Sequence, residues 1–486
     1  MLILQALPLI ALVALLAAGR GPVMACAAAL LLNLPAAAIQ GGGVAGLPGF
    51  VVRAAAEGAW LALVPVGIIS GGLVFHAAVT ALRQSANGQT VTSQSRAAQL
   101  FTAAFLLGPF AEAVTGFGVG TVFAMGAVRA AGVSGAAAAA IALVAQVLIP
   151  WGGLGPGTAI GAALAGVDPQ AMTARNAMLL APSLLLLLPL FWWWCARAGV
   201  VAGWSERLRQ ALWVLGIGVL LVASHHVFPW QVCGALSVGV LLSARLLMVD
   251  PLRDRGSVRR AIGAAAPYAL LVGLLLGLRL WPNAPALHPF DGLPSLAINH
   301  AMTALWLTAL LLVVRLVARL GHGIDHGIDH GIGQGIGQGI GLVRAALLRA
   351  RRPALALLMF VVLARSLANA GVPVALAQAL VASFGSAAPF AAPLLAAAAG
   401  FFAGTNVGSN SAMMPLQAAL GRAAGLGPLV LPALQNGTLA LVISPQLTAV
   451  ASGLAGGGVT ASAVWRLTWP IVLISLLVGT VSIMVG

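Results

Sequence analysis

The chain alternates long apolar runs with short polar or arginine-bearing joints. Runs at 2–18, 23–40 and 57–81 predict three spans, separated by a turn at Arg20 and a glycine-rich loop at 41–50. A polar loop at 82–98, with Arg83 and Arg96, follows. Further runs at 177–196, 210–225, 232–249, 263–281, 299–318, 353–370 and 467–485 have the length of membrane helices. Two stretches break this pattern. Gly108 to Gly118 reads GPFAEAVTGFG, a carboxylate, a proline and three glycines inside an apolar region. Glycine frees the backbone from helical geometry, proline removes a donor, and lipid satisfies neither, so the stretch must face protein or a watery cavity. It predicts a hairpin that enters near 99 and returns at Arg129. From about 136 an alanine-rich helix runs to Pro150, is interrupted by WGGLGPG at Trp151 to Gly157, and resumes toward Asp168, a discontinuous span.

The same unit occurs twice. An offset of 292 residues carries Gly108, Phe110, Ala111 and Gly116 onto Gly400, Phe402, Ala403 and Gly408, within GFFAGTNVGSN. RAAG at Arg129 to Gly132 returns at Arg422 to Gly425, and a segment at 427–446 is again broken around Gln435, Asn436 and Gly437. With arginine as the cytoplasmic mark, the N-terminus lies outside, the first hairpin enters from the cytoplasm and the second from outside. That is the inverted relation of alternating-access transporters. The expected fold is therefore an all-α polytopic membrane protein with inverted-topology repeats, re-entrant hairpins and discontinuous transmembrane helices. Its expected organisation is scaffold helices at 1–98, a first repeat core at 99–196, connecting helices at 197–320, a low-complexity cytoplasmic linker at 321–352, and a second core with a terminal helix at 353–486.

Composition agrees. The 486 residues are 61% hydrophobic and 7% charged, with a mean hydropathy of +1.04. A net charge of +15 in a soluble protein would suggest nucleic acid, but here the arginines lie between apolar segments as topology signals, and no nucleic-acid partner is expected. Cys26, Cys195 and Cys233 stand singly, so neither a disulfide framework nor a thiolate metal site is indicated. The first segment lacks a basic leader region and a cleavage site before Arg20, and reads as a retained helix. In the insert GHGIDHGIDHGIGQGIGQGIG at 321–341, His322, His326 and His330 recur every four residues, a metal-ligand spacing if helical. The frequent glycines argue against a helix there, so a flexible linker is expected and no cofactor or metal.

Of the nine acidic residues, Glu112 is the one expected deep in the membrane. Burial disfavours its charged form, which suits a reversible proton carrier; the alternative is a hydrogen-bonded Glu that staples the hairpin. Glu57, one helical turn after Arg53, reads as half of a local ion pair. In the second hairpin Thr405, Asn406, Ser409, Asn410 and Ser411 offer short polar side chains beside free helix N-termini, a combination that suits a small anion; helix packing is the other use of such residues. Gln435 and Asn436 join that candidate site by repeat logic. Arg365 lies twelve residues into its span, roughly 18 Å along a helix. A permanent cation there needs an anionic partner, either Glu112 or a bound carboxylate, or else serves structural charge balance. His76 reads as a packing residue. No HExxH, no GxSxG with a partner and no buried carboxylate pair points to an intramembrane enzyme, and inverted broken units suit a closed midplane site better than a channel.

These motifs resemble the lactate permease family of bacterial secondary transporters. GPFAEAVTGFG resembles its first hairpin, WGGLGP its following break, GTNVGSNSAMMPLQ at Gly404 to Gln417 its GSNT-to-PLQ element, and QNGTLALVISPQ at Gln435 to Gln446 its later Ser-Pro motif. The resemblance covers about 100–166 and 400–446 specifically, and is topological elsewhere. It implies proton symport of L-lactate, glycolate or a close 2-hydroxymonocarboxylate through the bacterial inner membrane. The partners implied are that carboxylate, protons and the lipid bilayer, with monomer or oligomer left open. The substrate-contacting positions expected on this basis are Gly116, Gly118, Thr405, Asn406, Ser409, Asn410, Gln435, Asn436 and Arg365, with Glu112 coupling the proton. Another organic anion, or sodium in place of the proton, would use the same fold.

Overall fold

The computed structural model describes residues 2–84, 95–116, 118–249, 254–321 and 328–486. Among them 10 helical stretches are long and apolar enough to cross a bilayer, and the chain is a multi-pass membrane protein. Helices α1 (Leu2–Ala17), α2 (Pro22–Gln40) and α3 (Leu47–Gln84) come first. The first core unit follows. An arm made of α4 (Arg96–Phe101), a π-helical stretch (Thr102–Leu107) and α5 (Gly108–Thr115) ends at Gly116, and from Gly118 the chain returns as α6 (Val119–Ala130). Then α7 (Gly135–Leu143) breaks into 3-10 turns at 144–146 and 149–154 and resumes as α8 (Pro156–Ala165).

Four long helices, α9 (Pro169–Arg197), α10 (Trp204–Ser224), α11 (Trp230–Val249) and α12 (Arg255–Arg279), lead to a short antiparallel pair, β1 (Ala286–Leu287) with β2 (Leu296–Ala297). After α13 (Ala301–Gly321) and α14 (Ile328–Asn369) come α15 (Val372–Phe384) and the second core unit. There α16 (Ala392–Ala403) turns at 404–405 into α17 (Asn406–Ala423), and α18 (Val430–Asn436) breaks at 439–443 and resumes as α19 (Pro445–Ala455). Helices α20 (Ala461–Thr468) and α21 (Pro470–Val485) close the chain at a bend of 42°.

The two units interlock. Helix α7 is apolar on every side, and Ala138 through Ala145 are all buried, as an all-round apolar helix requires. Helix α8 packs against α17, and α19 against α6 and α7, so each broken helix completes the other unit's hairpin. At the base of the first hairpin Arg129 donates to the carbonyl of Leu454, at the far end of the second broken helix (3.2 Å). At the base of the second, Arg422 donates to the carbonyl of Ala165, at the far end of the first (3.4 Å). Each broken helix thus starts beside its own hairpin's base and ends beside the other's. The two bases lie at opposite ends of the molecule, which is the inverted relation read from the repeats, and the arginine of each RAAG copy makes the equivalent contact.

The structure departs from the sequence reading in four places. The loop at 41–50 is shorter than expected, because α3 begins at Leu47 and runs 38 residues. From Ile328 the glycine-rich insert is helical and continues into α14, where a flexible linker was expected. At Gly339 this helix lies so close to α13 that a Cβ would come within 2.7 Å of Val317, so packing on a neighbour outweighs glycine's weak helix propensity. His322 and His326 of the insert lie outside the described residues. Helix α15 has no counterpart among the expected spans. The last span begins earlier than 467, with α20.

Ala130 and Ala423 are exposed at the two hairpin bases, and all three native cysteines are buried. A membrane-impermeant thiol reagent is expected to label Ala130→Cys from one side of the membrane only and Ala423→Cys from the other. Labelling of both from the same side would contradict the inverted arrangement.

Candidate functional site

At the first hairpin tip Gly116 and Gly118 adopt φ of 72° and 81°, which reverse the chain into α6. Gly116 sits in backbone contact with Gly153 of the first broken helix. There Gly153, Leu154 and Gly155 all have positive φ, and Leu154, at 65°, is the single such non-glycine among the described residues. This sparsely populated backbone turns the chain so that α8 starts at the centre of the molecule. Gly157, in the first turn of α8, lets Asn406 approach so closely that a Cβ would lie 2.8 Å from the Asn406 Cβ.

Glu112 staples the tip. Its Oε1 accepts from the Gly118 amide (3.2 Å), and its Oε2 accepts from the Gly120 amide (2.9 Å) and from Gln146 Nε2 (2.9 Å). Gln146 also donates to Thr121, so a side chain of the broken helix ties both arms of the hairpin. The carboxylate therefore satisfies two first-turn amides of α6 that lipid could not.

A second buried network centres on Asn436, at the C-terminal end of α18. Its Oδ1 accepts from Thr158 (3.1 Å), Asn406 (3.1 Å) and Asn410 (2.8 Å), and its Nδ2 donates to Asn176 (2.8 Å). Asn410 also donates to the carbonyl of Gly157 (2.9 Å), and Gln435 donates to Ser409 Oγ (2.8 Å). These bonds join α8 and α9 to α17 and α18, one polar seam across both units.

Between the two tips lies a cavity of about 360 Å³. Four helices begin at its wall: α6 at Gly118, α8 at Pro156 and Gly157, α17 at Thr405 and Asn406, and α19 at Gln446 and Leu447. Thr405 caps α17 by accepting from Gly408 (3.0 Å), which leaves the Asn406 and Val407 amides without an acceptor among the described residues. Converging helix N-termini with free N–H groups favour an anion. Glu112 and Gln146 line the same space from the first unit, Thr405, Asn406 and Gln446 from the second, and Arg349 of α14 completes the polar lining.

Of the positions read from the sequence, Glu112, Gly118, Thr405 and Asn406 line this cavity. Gly116 packs behind the tip. Ser409, Asn410, Gln435 and Asn436 are fully buried in the seam and do not line the cavity; Asn410, Gln435 and Asn436 donate across helices, and Ser409 accepts from Gln435. Arg365 takes the structural, charge-balancing place that the sequence left open, with Glu57 in place of Glu112 as its partner. Its Nη2 and Nε bond Glu57 Oε2 (2.6 and 3.1 Å), Asn369 donates to the same oxygen, and Arg53 holds Oε1 (2.9 Å). Glu57 is thus a second buried carboxylate, and Arg365 serves a clasp between α3 and α14, away from the cavity. The partner was hidden because no sequence pattern says that α3 lies along α14. Gln146, Gln446 and Arg349 were missed. The two glutamines stand beside or within the motifs that mark the breaks, whereas Arg349 looked like one more topology arginine.

The family model described as L-lactate permease matches residues 338–485, which include α17, the α18–α19 break and the α14 wall of the cavity. Over that segment, under a third of its length, the chain is similar to the L-lactate permease family. The matched segment includes Thr405, Asn406 and Gln446 of the cavity wall. No curated protein matches the chain. Among solved structures, the YdaH transporter of Alcanivorax borkumensis, described as having an unusual topology, aligns over 96% of this chain and 98% of its own at 14% identity, with a TM-score of 0.46.

Replacing Asn436 by Leu removes four hydrogen bonds from the seam. At about 1 kcal/mol or more per buried bond, Asn436→Leu is expected to lower the thermal unfolding midpoint in detergent well below that of Asn406→Ala, which loses fewer. Equal midpoints would mean that the seam contributes little.

Proposed function

We propose that this protein is a secondary active transporter that carries a small 2-hydroxymonocarboxylate, L-lactate or glycolate, together with a proton across the bacterial inner membrane. The observation that carries this reading is the convergence of four helix N-termini and one carboxylate on a single cavity between two inverted units. The similarity of residues 338–485 to a permease family supports a carrier in preference to an enzyme or a channel.

In this reading the substrate carboxylate takes the free amides at the start of α17 and the amide side chain of Asn406, while its hydroxyl faces Gln446 or Gln146. Uptake of a lone anion into a negative cell is opposed by about 2.3 kcal/mol per charge per 100 mV. One accompanying proton removes that cost. Glu112 is suited to carry it. Three N–H donors fill most of its acceptor sites, but Oε1 has only the Gly118 bond at 3.2 Å and keeps room for a proton. Protonation weakens the staple at the hairpin tip, so loading the carrier and loosening its break become one event.

Glu112→Gln places an amide where the acid would be neutral. It is expected to abolish accumulation of labelled L-lactate driven by a pH gradient in proteoliposomes, yet leave exchange between loaded vesicles and bath. Retained pH-driven accumulation would falsify the coupling role, and loss of exchange as well would point to a purely structural staple. Asn406→Ala is expected to raise the apparent KM for exchange roughly tenfold, the value of one charge-assisted hydrogen bond. An unchanged KM in a folded variant would remove Asn406 from the binding site.

A further inference from the structure

Helix α14 turns one stripe toward the centre of the protein: Arg349, Arg352, Pro353, Ala356, Leu357 and Phe360, spaced by three and four. Arg349 is the single cation lining the central cavity among the described residues, and Glu112 the single acid. Arg352 and the apolar end of the stripe line an adjoining chamber of about 270 Å³, which shares Pro353, Thr405, Val407 and Gln446 with the first. Neither arginine has an ion-pair partner among the described residues. The contrast with Arg365 is direct: on the same helix, the arginine that faces α3 is held by Glu57, and the arginine that faces the cavity is held by no described carboxylate. Glu112 already accepts three N–H donors within its own unit. The wall that carries Arg349 and the start of α17 therefore offers a guanidinium and free amides to an anion, while Glu112 on the other unit is engaged by its own donors.

We infer that Arg349 is a substrate-binding residue that grips the carboxylate of the transported monocarboxylate by two parallel N–H bonds at the mouth of the cavity, opposite the N-terminus of α17. The inference rests on the transport reading above and adds to it the group that selects a carboxylate over a neutral hydroxy compound. Arg349 is exposed while lining the cavity, which puts it where a substrate passes between the cavity and the arginine-bearing end of α14.

The test uses the purified full chain in proteoliposomes, with labelled L-lactate and glycolate as probes. Arg349→Gln is expected to raise the apparent KM for exchange by roughly tenfold or more with little change in maximal rate. Arg349→Lys, which keeps the charge without the fork, should fall between, and Arg351→Gln, exposed on the same helix and outside both chambers, should match the wild type. In parallel, Arg349→Cys is expected to react with a negatively charged methanethiosulfonate reagent more slowly when L-lactate is present; the native cysteines are buried. An unchanged KM for Arg349→Gln together with absent protection, or an equal KM rise in Arg351→Gln, overturns the role of Arg349 while leaving transport standing. A wild type that exchanges neither probe overturns the transport reading and this inference with it.

Discussion

The bonds from Glu112 to the amides of Gly118 and Gly120 express the constraint on which the rest of this structure depends. A helix that stops in the middle of a bilayer exposes amides and carbonyls that lipid cannot satisfy, each at a cost of several kcal/mol. This chain stops helices there in both units. Every such end is therefore packed against protein, capped by a side chain such as Glu112 or Thr405, or turned toward the cavity. The cavity receives the backbone amides at the start of α17 that no described residue satisfies.

The interlocked repeat follows from the same constraint. One hairpin and one broken helix cannot cover each other's ends, but two inverted copies can, with α8 laid against α17 and α19 against α6 and α7. Contacts of different strength divide the molecule. The scaffold is joined by a buried carboxylate with two arginines and an asparagine, the clasp of Glu57. The seam around Asn436 is equally dense. At the two surfaces, by contrast, the units meet through single bonds from Arg129 and Arg422 to carbonyls.

Much of this was legible in the sequence. Hydropathy marked nearly every span, since a 20-residue apolar run has no other stable use in water or lipid. Glycine and proline inside such runs marked both breaks, and the offset between copies announced the inversion before any contact was known. Glu112 stood out because a lone carboxylate in an apolar segment needs a reason. The error at 328–341 came from the other direction: glycine lowers helix propensity by at most about 1 kcal/mol per residue, and burial against α13 overrides it.

By itself, then, the sequence determined the all-helical membrane fold, the two broken units with their opposed entry, and the presence of a polar element in each. These properties depend on local composition and spacing, which burial in lipid translates directly into structure. What the tertiary structure decided is which polar groups remain free. Asn406 and Asn410 lie one helical turn apart and both donate to Asn436, yet only Asn406 also lines the cavity. Arg349 and Arg365 share a helix, yet among the described residues Arg365 meets a carboxylate and Arg349 does not. Side-chain partnership across helices is set by which faces pack together, and hydropathy, which is blind to the identity of the neighbour, carries no record of it.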